Sequence, residues 1–323
     1  MEIVGTEKKK KMGKIHASRM KFYVLMFLPL IIQFLIFYVY LNFSSIVLAF
    51  QKYTKNINGL GHTVDFVWFK NFATAFDFLF SARAGEMLGN SLILYAVNLI
   101  IVTSLALFFS YYIAKKYMLS GLFRVILYLP TIVSGTVMAI LYQYIVTDVY
   151  IGIASTFTDE VVLGLLDSSK TSEFLTILIF NVWVGFGANV MIYTGTMSGI
   201  NESLVESAQL EGVNSLQELW YIYIPLIYPT LITFIVTGMT GIFTNQMSLF
   251  TFYGQTGSNF EVDVFGYYFY RLTQDASVNL YPQAKPMYSY PELSALGLII
   301  TLIVAPITLI TRKLMEKYGP SVD

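Results

Sequence analysis

Catalysis has few residues to draw on in this chain. There is no cysteine and only two histidines, His16 and His62, which excludes thiol nucleophiles, disulfide frameworks and Cys/His metal sites. Paired carboxylates, a histidine cluster and a buried Ser/Lys dyad are also missing, which removes an intramembrane enzyme. The single Gly-Lys step, Gly13-Lys14, is followed by Ile15 and lacks the earlier glycine of a phosphate-cradling loop, so the chain is not expected to hydrolyse ATP. What remains is hydrogen-bonding chemistry. Asn181, Asn189, Tyr193, Thr240, Asn245 and Gln246 interrupt long apolar stretches, where polar groups are costly unless they pair or line water. Each is a candidate for a polar pathway, with an interhelical hydrogen bond as the alternative.

The elements that position these residues follow from composition. Of 323 residues, 56% are hydrophobic and only 12% charged, about half the charged share of a soluble domain, so the solvent is lipid and no nucleic acid is expected as a partner. Taking about 20 apolar residues per crossing gives six candidate spans, near 22–43, 89–114, 122–147, 173–198, 224–250 and 292–311. The expected class is an all-α membrane protein of six transmembrane helices. The first run is longer than a signal-peptide core and no small-residue cleavage site follows it, so it reads as a retained signal anchor.

Orientation follows from the cations. Lys8, Lys9, Lys10, Lys11, Lys14, Arg19 and Lys21 precede the first span, Lys115, Lys116 and Arg124 lie between the second and third, and Arg312, Lys313 and Lys317 follow the sixth. Placing these 13 of 20 cations in the cytoplasm puts both termini inside. The other segments, about 44–88, 148–172 and 251–291, are then outer. The stretch Phe252 to Leu272 is rich in Tyr, Phe and Gly, which suits an interfacial aromatic belt and also a platform for an extracytoplasmic partner.

One inner loop is patterned. Ser203 and Glu206 stand at capping-box spacing, Gly212 suits a left-handed helix end, Asn214 and Gln217 repeat the start signal, and Pro225 sits where the next membrane helix would take its first turn. The loop reads as helix, turn, helix. Leu204, Val205 and Ala208 can share one face and present an apolar patch that another protein should cover. Glu202, Glu206, Glu211 and Glu218 stand there without a single Lys or Arg, which disfavours a helix lying on anionic headgroups.

The stretch Glu206, Ser207, Ala208, Gly212, Ile222, Ile224 and Pro225 resembles the EAA loop of ABC importer permeases, with Ser207 in place of alanine and Ile224 in place of leucine. Trp183, Gly185, Gly187, Tyr193, Gly199 and Ile200 resemble the segment that leads into that loop in sugar-type permeases, although Asn201 replaces a frequent proline. Phe69, Asn71, Phe72, Asn90, Leu129 and Pro130 extend the resemblance to about residues 65–315. The tyrosine-rich stretch Tyr288 to Leu298 looks closest to the oligosaccharide and polysaccharide branch.

The resemblance implies a type I ABC importer permease fold. It divides the chain into a basic tail at 1–21, a first transmembrane helix at 22–43, an extracytoplasmic segment at 44–88, a core transport domain at 89–315 with its coupling loop at 199–223, and a tail at 316–323. It implies that Glu206 makes a polar contact to an ATPase, Ala208 fills its groove, Gly212 permits the turn, and Pro225 fixes entry into the fifth span, with Ser207, Glu211 and Ile222 completing the loop. Implied partners are a second homologous permease, two cytoplasmic subunits that bind ATP and magnesium, and an extracytoplasmic solute-binding protein. No cofactor is expected in this chain. Sugars are held by amide hydrogen bonds and aromatic stacking, so Trp183, Tyr193 and Phe250 join the pathway candidates. The rival is an ion-coupled secondary transporter, which would carry an intramembrane carboxylate or cation, and none stands deep within the first five spans. Gly195 and Gly199, four apart, suit close helix packing.

Overall fold

The computed structural model describes residues 19–55, 62–277 and 289–320. The N-terminal tail up to residue 18, with the lysines at 8–11 and 14 and His16, together with Tyr288 and the last three residues, lies outside the described residues.

The chain forms two units, one of residues 1–74 with 290–298 and one of 75–289 with 299–323. In the first, helix α1 (Arg19–Leu48) leads into a two-stranded antiparallel hairpin, β1 (Gln51–Lys55) and β2 (His62–Phe66), in which Gln51 pairs with Phe66 and Lys55 with His62. The chain is mostly helical, as expected for its class, and this hairpin is the one sheet among the described residues. The local sequence explains it: Tyr53, Thr54, Thr63, Val64 and Phe66 favour extended backbone. The Asn71 amide, buried at the start of α2 (Lys70–Leu79), donates to the carbonyls of Ala49 and Gln51, both at 2.8 Å, and so ties the strand to the helix. Phe50 packs on Phe66, Phe69 and Phe72. Phe69, Asn71 and Phe72 thus have a fold role of their own.

In the second unit the frame is a pair of parallel helices, α3 (Ala82–Ala114) and α6 (Lys170–Ser198). Ser81 and Ser169 cap their starts by accepting from the backbone N–H groups of Ala84 and Ser172. The Ser110 hydroxyl donates to the Val190 carbonyl at 3.0 Å, so the first helix's end meets the second's end through a buried polar contact. One core cluster gathers Ala106, Tyr111 and Ile113 with Val190, Tyr193 and Met197, and a second gathers Leu94 with Ile177 and Leu178 at the other end.

The expected third span is not one helix. Extended backbone at Val133 and Ser134 separates α4 (Ser120–Ile132) from α5 (Gly135–Ala154). Helix α4 lies so close to α6 that a Cβ on Gly187 would overlap the Leu127 carbonyl. Gly195 has open space around it and Gly199 meets only its own helix, so the close approach occurs at Gly187 instead of the expected pair.

The loop helices α7 (Glu202–Leu210) and α8 (Ser215–Leu226) precede a bend of 71°. After it come α9 (Tyr228–Thr244), a break at 245–248, and α10 (Leu249–Tyr253). The first turn of the long helix is therefore taken by Pro229, while Pro225 lies in the short helix before the bend. The reason is local: two prolines four apart each remove a backbone donor, and the chain breaks between them at Ile227. Helices α11 (Phe265–Ser277) and α12 (Tyr290–Tyr318) complete the described chain. Among the described residues, five helices, α1, α3, α5, α6 and α12, are long and apolar enough to cross a membrane, and the bent α8/α9 segment makes six if it counts as one span.

Candidate functional site

Two regions of the second unit hold the residues singled out from sequence. The first is the loop at the end where α3 stops and α6 ends. Asn201 caps α7 by accepting from the backbone N–H of Ser203 at 3.0 Å and from its hydroxyl at 2.9 Å. This displaces the expected Ser203/Glu206 box by two residues, because an amide just before the helix reaches the free N–H first. Glu206, Ser207 and Glu211 are exposed and Ala208 is half-buried. Val205 points inward into the core with Leu219 and Tyr223, so it leaves the expected apolar patch. Leu204, at 48% exposure, and Leu210, at 91%, form it instead.

Gly212 ends α7 at φ +87°, a conformation only glycine adopts freely. Its N–H donates to the Gln209 carbonyl at 3.0 Å and the Val213 N–H to Ala208 at 3.2 Å, the paired bonds of a Schellman turn. Asn214 and Gln217 form the expected reciprocal capping box at 2.9 and 3.0 Å. Ile222, Ile224 and Pro225 are half-buried, with Ile222 and Ile224 packed against the core cluster.

Glu218 behaves unlike the loop's other acids. It is buried, pairs with the Lys115 ammonium at 2.8 Å, and accepts from the Gln209 amide at 2.9 Å. The sequence offered both charges but no reason to join them across 103 positions.

The second region is a cavity of about 440 Å³ between α3, α6 and α9. It brings together Asn189, Thr240 and Asn245 from the sequence candidates. Tyr95, Asn98 and Thr103 of α3 and Thr237 and Thr244 of α9 also line it, and its lining holds no charged side chain among the described residues. Asn98 met the same criterion as Asn181, an amide inside an apolar run, and was missed. The Tyr95 ring lies over Gly238, where a Cβ would come within 2.8 Å of it.

The other candidates lie elsewhere. Asn181 donates to the carbonyls of Ile177 and Met247, at 2.9 and 2.8 Å, and accepts from Ser248, so it brackets the break at 245–248. Trp183 packs beside Tyr142 and Phe180. Tyr193 is fully buried in the core cluster. Phe250 meets Tyr270 edge-on at 5.0 Å, and Gln246 gives its carbonyl to the Leu249 N–H.

At the far end of the same unit, residues 254–264 are pinned by charge. Asp263 is fully buried between Arg271, at 3.0 Å, and Arg83, at 3.3 Å, and accepts from Ser258. Arg83 also pairs with Glu261. Arg271 donates to the carbonyls of Gln255 and Thr256, both at 3.2 Å. Burial raises the Asp263 carboxyl above the usual range, against the opposing pull of both guanidiniums. The Glu173 carboxylate, in the first turn of α6, accepts from the N–H groups of Asn259 and Phe260 at 2.9 and 3.0 Å. The one carboxylate at the edge of the fourth span is thus occupied by backbone.

The profile of a family described as the binding-protein-dependent transport system inner membrane component matches residues 103–323. The chain is 25% identical over 270 residues to the probable starch degradation products transport system permease protein AmyD of Thermoanaerobacterium thermosulfurigenes, covering 80% of this chain and 83% of that one. It is 21% identical over 296 residues to the arabinooligosaccharides transport system permease protein AraP of Bacillus subtilis, covering 90% and 87%. Against a probable ABC transporter permease of Mycoplasma genitalium it is 27% identical over 211 residues and spans 62% of that protein's length. Its fold matches a chain of a bacterial alginate ABC importer with a TM-score of 0.70 at 22% identity, over 93% of this chain and 97% of that one.

Proposed function

The chain belongs to the family of binding-protein-dependent transport system inner membrane components, and on that premise we propose that it is one transmembrane permease subunit of an ATP-driven importer for an uncharged sugar or oligosaccharide. It crosses the bacterial cytoplasmic membrane six times, with α8 and α9 as one bent crossing and both termini inside. Supporting this orientation, Lys115 pairs with the loop at Glu218, and Tyr228 donates to the Met315 carbonyl, so cations at 115–116 and 312–317 share one end of the unit.

The observation that carries the reading is the exposed face of α7. Glu206, Leu204 and Leu210 stand out from a helix whose inner side is fixed by Val205 and whose end is set by Gly212. Such a patch on a short, rigid, capped helix suits docking into a cytoplasmic ATPase. Two ATPase subunits carry the nucleotide and magnesium, a second homologous permease completes the pathway, and an extracytoplasmic binding protein delivers substrate. Nucleotide-driven closure of the ATPases draws the two α7 helices together and rocks the spans from inward-open to outward-open.

The cavity supports the substrate class. Amides and hydroxyls on three helices, without a charged group, suit a polyhydroxylated neutral ligand, and the AmyD and AraP relatives are named for starch products and arabinooligosaccharides. A tagged chain purified in mild detergent, followed by mass spectrometry and an ATPase assay, tests this reading. An ATPase and a second permease should co-purify and be lost on Glu206→Lys with Ala208→Glu. Recovery of the chain alone, stable and without ATPase activity, would return the ion-coupled transporter to first place.

A further inference from the structure

The cavity has two main walls, and they connect to the docking loop differently. Helix α9 continues from α8 through the bend at Ile227, so it is joined to the loop covalently. Helix α3 supplies the facing wall through Ser91, Tyr95, Asn98 and Thr103, yet its end at Ala114 is 88 positions before the loop's start at Glu202. Its buried charged connection to the loop is the ion pair between Lys115, one residue past its end, and Glu218 of α8. The exposed fraction of these side chains is 16% for Lys115 and 3% for Glu218.

The Gln209 amide extends this pair to the last turn of α7. Two further contacts hold α8 at the same place: Tyr111 packs edge-on against Tyr223 at 5.1 Å, and the hydroxyls of Tyr117 and Ser215 lie 3.2 Å apart. A buried ion pair adds little net stability over well-packed apolar groups, but it accepts only a narrow range of geometries. Apolar contacts slide; this one holds register.

We infer that Lys115, Glu218 and Gln209 form the link through which a push on the exposed face of α7 reaches α3, so that both cavity walls move together. They are positioning residues and touch no substrate. The inference rests on the importer reading, and it predicts a distinct defect. Breaking the link leaves the ATPase docked and turning over while the cavity fails to open and close in step.

The test uses the whole complex in liposomes and reads substrate moved per ATP hydrolysed. Lys115→Met with Glu218→Leu keeps the volume and removes the charges. It should still co-purify with the ATPase and hydrolyse ATP, with transport per ATP reduced by roughly tenfold, the loss of about one directional buried contact. Lys115→Glu with Glu218→Lys should recover most of it. Wild-type coupling in the Met/Leu protein would overturn the inference, because packing alone would then suffice.

The absence of cysteine in the chain allows a second measurement that does not depend on tolerance of apolar residues. Lys115→Cys with Glu218→Cys should be uncoupled until a short bis-thiosulfonate bridges the thiols, and coupled again afterwards. Bridging that leaves coupling unchanged would overturn the inference. A wild-type complex with no ATPase at all would instead overturn the importer reading, which separates the two failures.

Discussion

The loop around α7 and α8 and the segment 254–264 are each held by a buried carboxylate, yet they are built for opposite ends. At the loop, Glu218 has one cation and one amide, and the helix it secures leaves Leu210 and Glu206 outside. At the other end, Asp263 has two guanidiniums and a hydroxyl, and Val262, Val264, Phe265 and Tyr267 around it are all buried. The first carboxylate presents a surface; the second closes one. A segment with a buried charged centre and an exposed capped helix is suited to receive force, whereas one whose carboxylate is enclosed by two guanidiniums and buried apolar neighbours is suited to keep its shape.

The contrast can be broken most sharply at Asp263. Asp263→Ala leaves Arg83 and Arg271 without their shared partner and should lower stability by about 3–5 kcal/mol, seen as a lower unfolding temperature in detergent and protease cleavage within 254–264. Next, Gly212→Pro removes a bonded N–H and forbids φ +87°; it should cost about 3 kcal/mol locally, leave membrane insertion intact, and abolish transport. Asn214→Ala removes one side of the capping box and should cost about 1 kcal/mol, measurable as faster amide exchange in 214–218. Smallest in stability is Glu206→Lys, within about 0.5 kcal/mol of wild type in thermal unfolding because the side chain is exposed, while ATPase co-purification falls. If Glu206→Lys destabilised the chain as much as Asp263→Ala, the two ends would not differ as described.

These two ends also differ in how far sequence could reveal them. Helix, turn and helix at 202–226 are written in caps and a glycine only a few residues from what they contact, so the sequence pattern and the backbone agree apart from the cap at Asn201 and the place of Pro225 before the bend. The clamp at 254–264 depends on Arg83 and Glu173, which lie 180 and 86 positions from Asp263 and Asn259. Charges that close such distances leave no local period. The same reason hid Lys115–Glu218. The cavity was half legible: Asn189, Thr240 and Asn245 stood out as polar groups in apolar runs, while Asn181 met the same criterion and serves the backbone instead. Hydropathy shows that an amide is inside a span; which way it faces depends on helices that arrive later in the chain. The breaks at Val133–Ser134 and Ile227 were invisible to apolar counting, which does not register backbone direction.

Gly187 divides the molecule into parts that mutation can reach and parts it cannot. With the Leu127 carbonyl against it, even a single added carbon would prise α4 from α6, so this seam tolerates no drift. Two residues on, Asn189 faces the cavity, where an amide can be exchanged for a hydroxyl at little structural cost. On the reading proposed above, substrate preference can therefore change by trading groups on the lining while the seam behind them stays fixed.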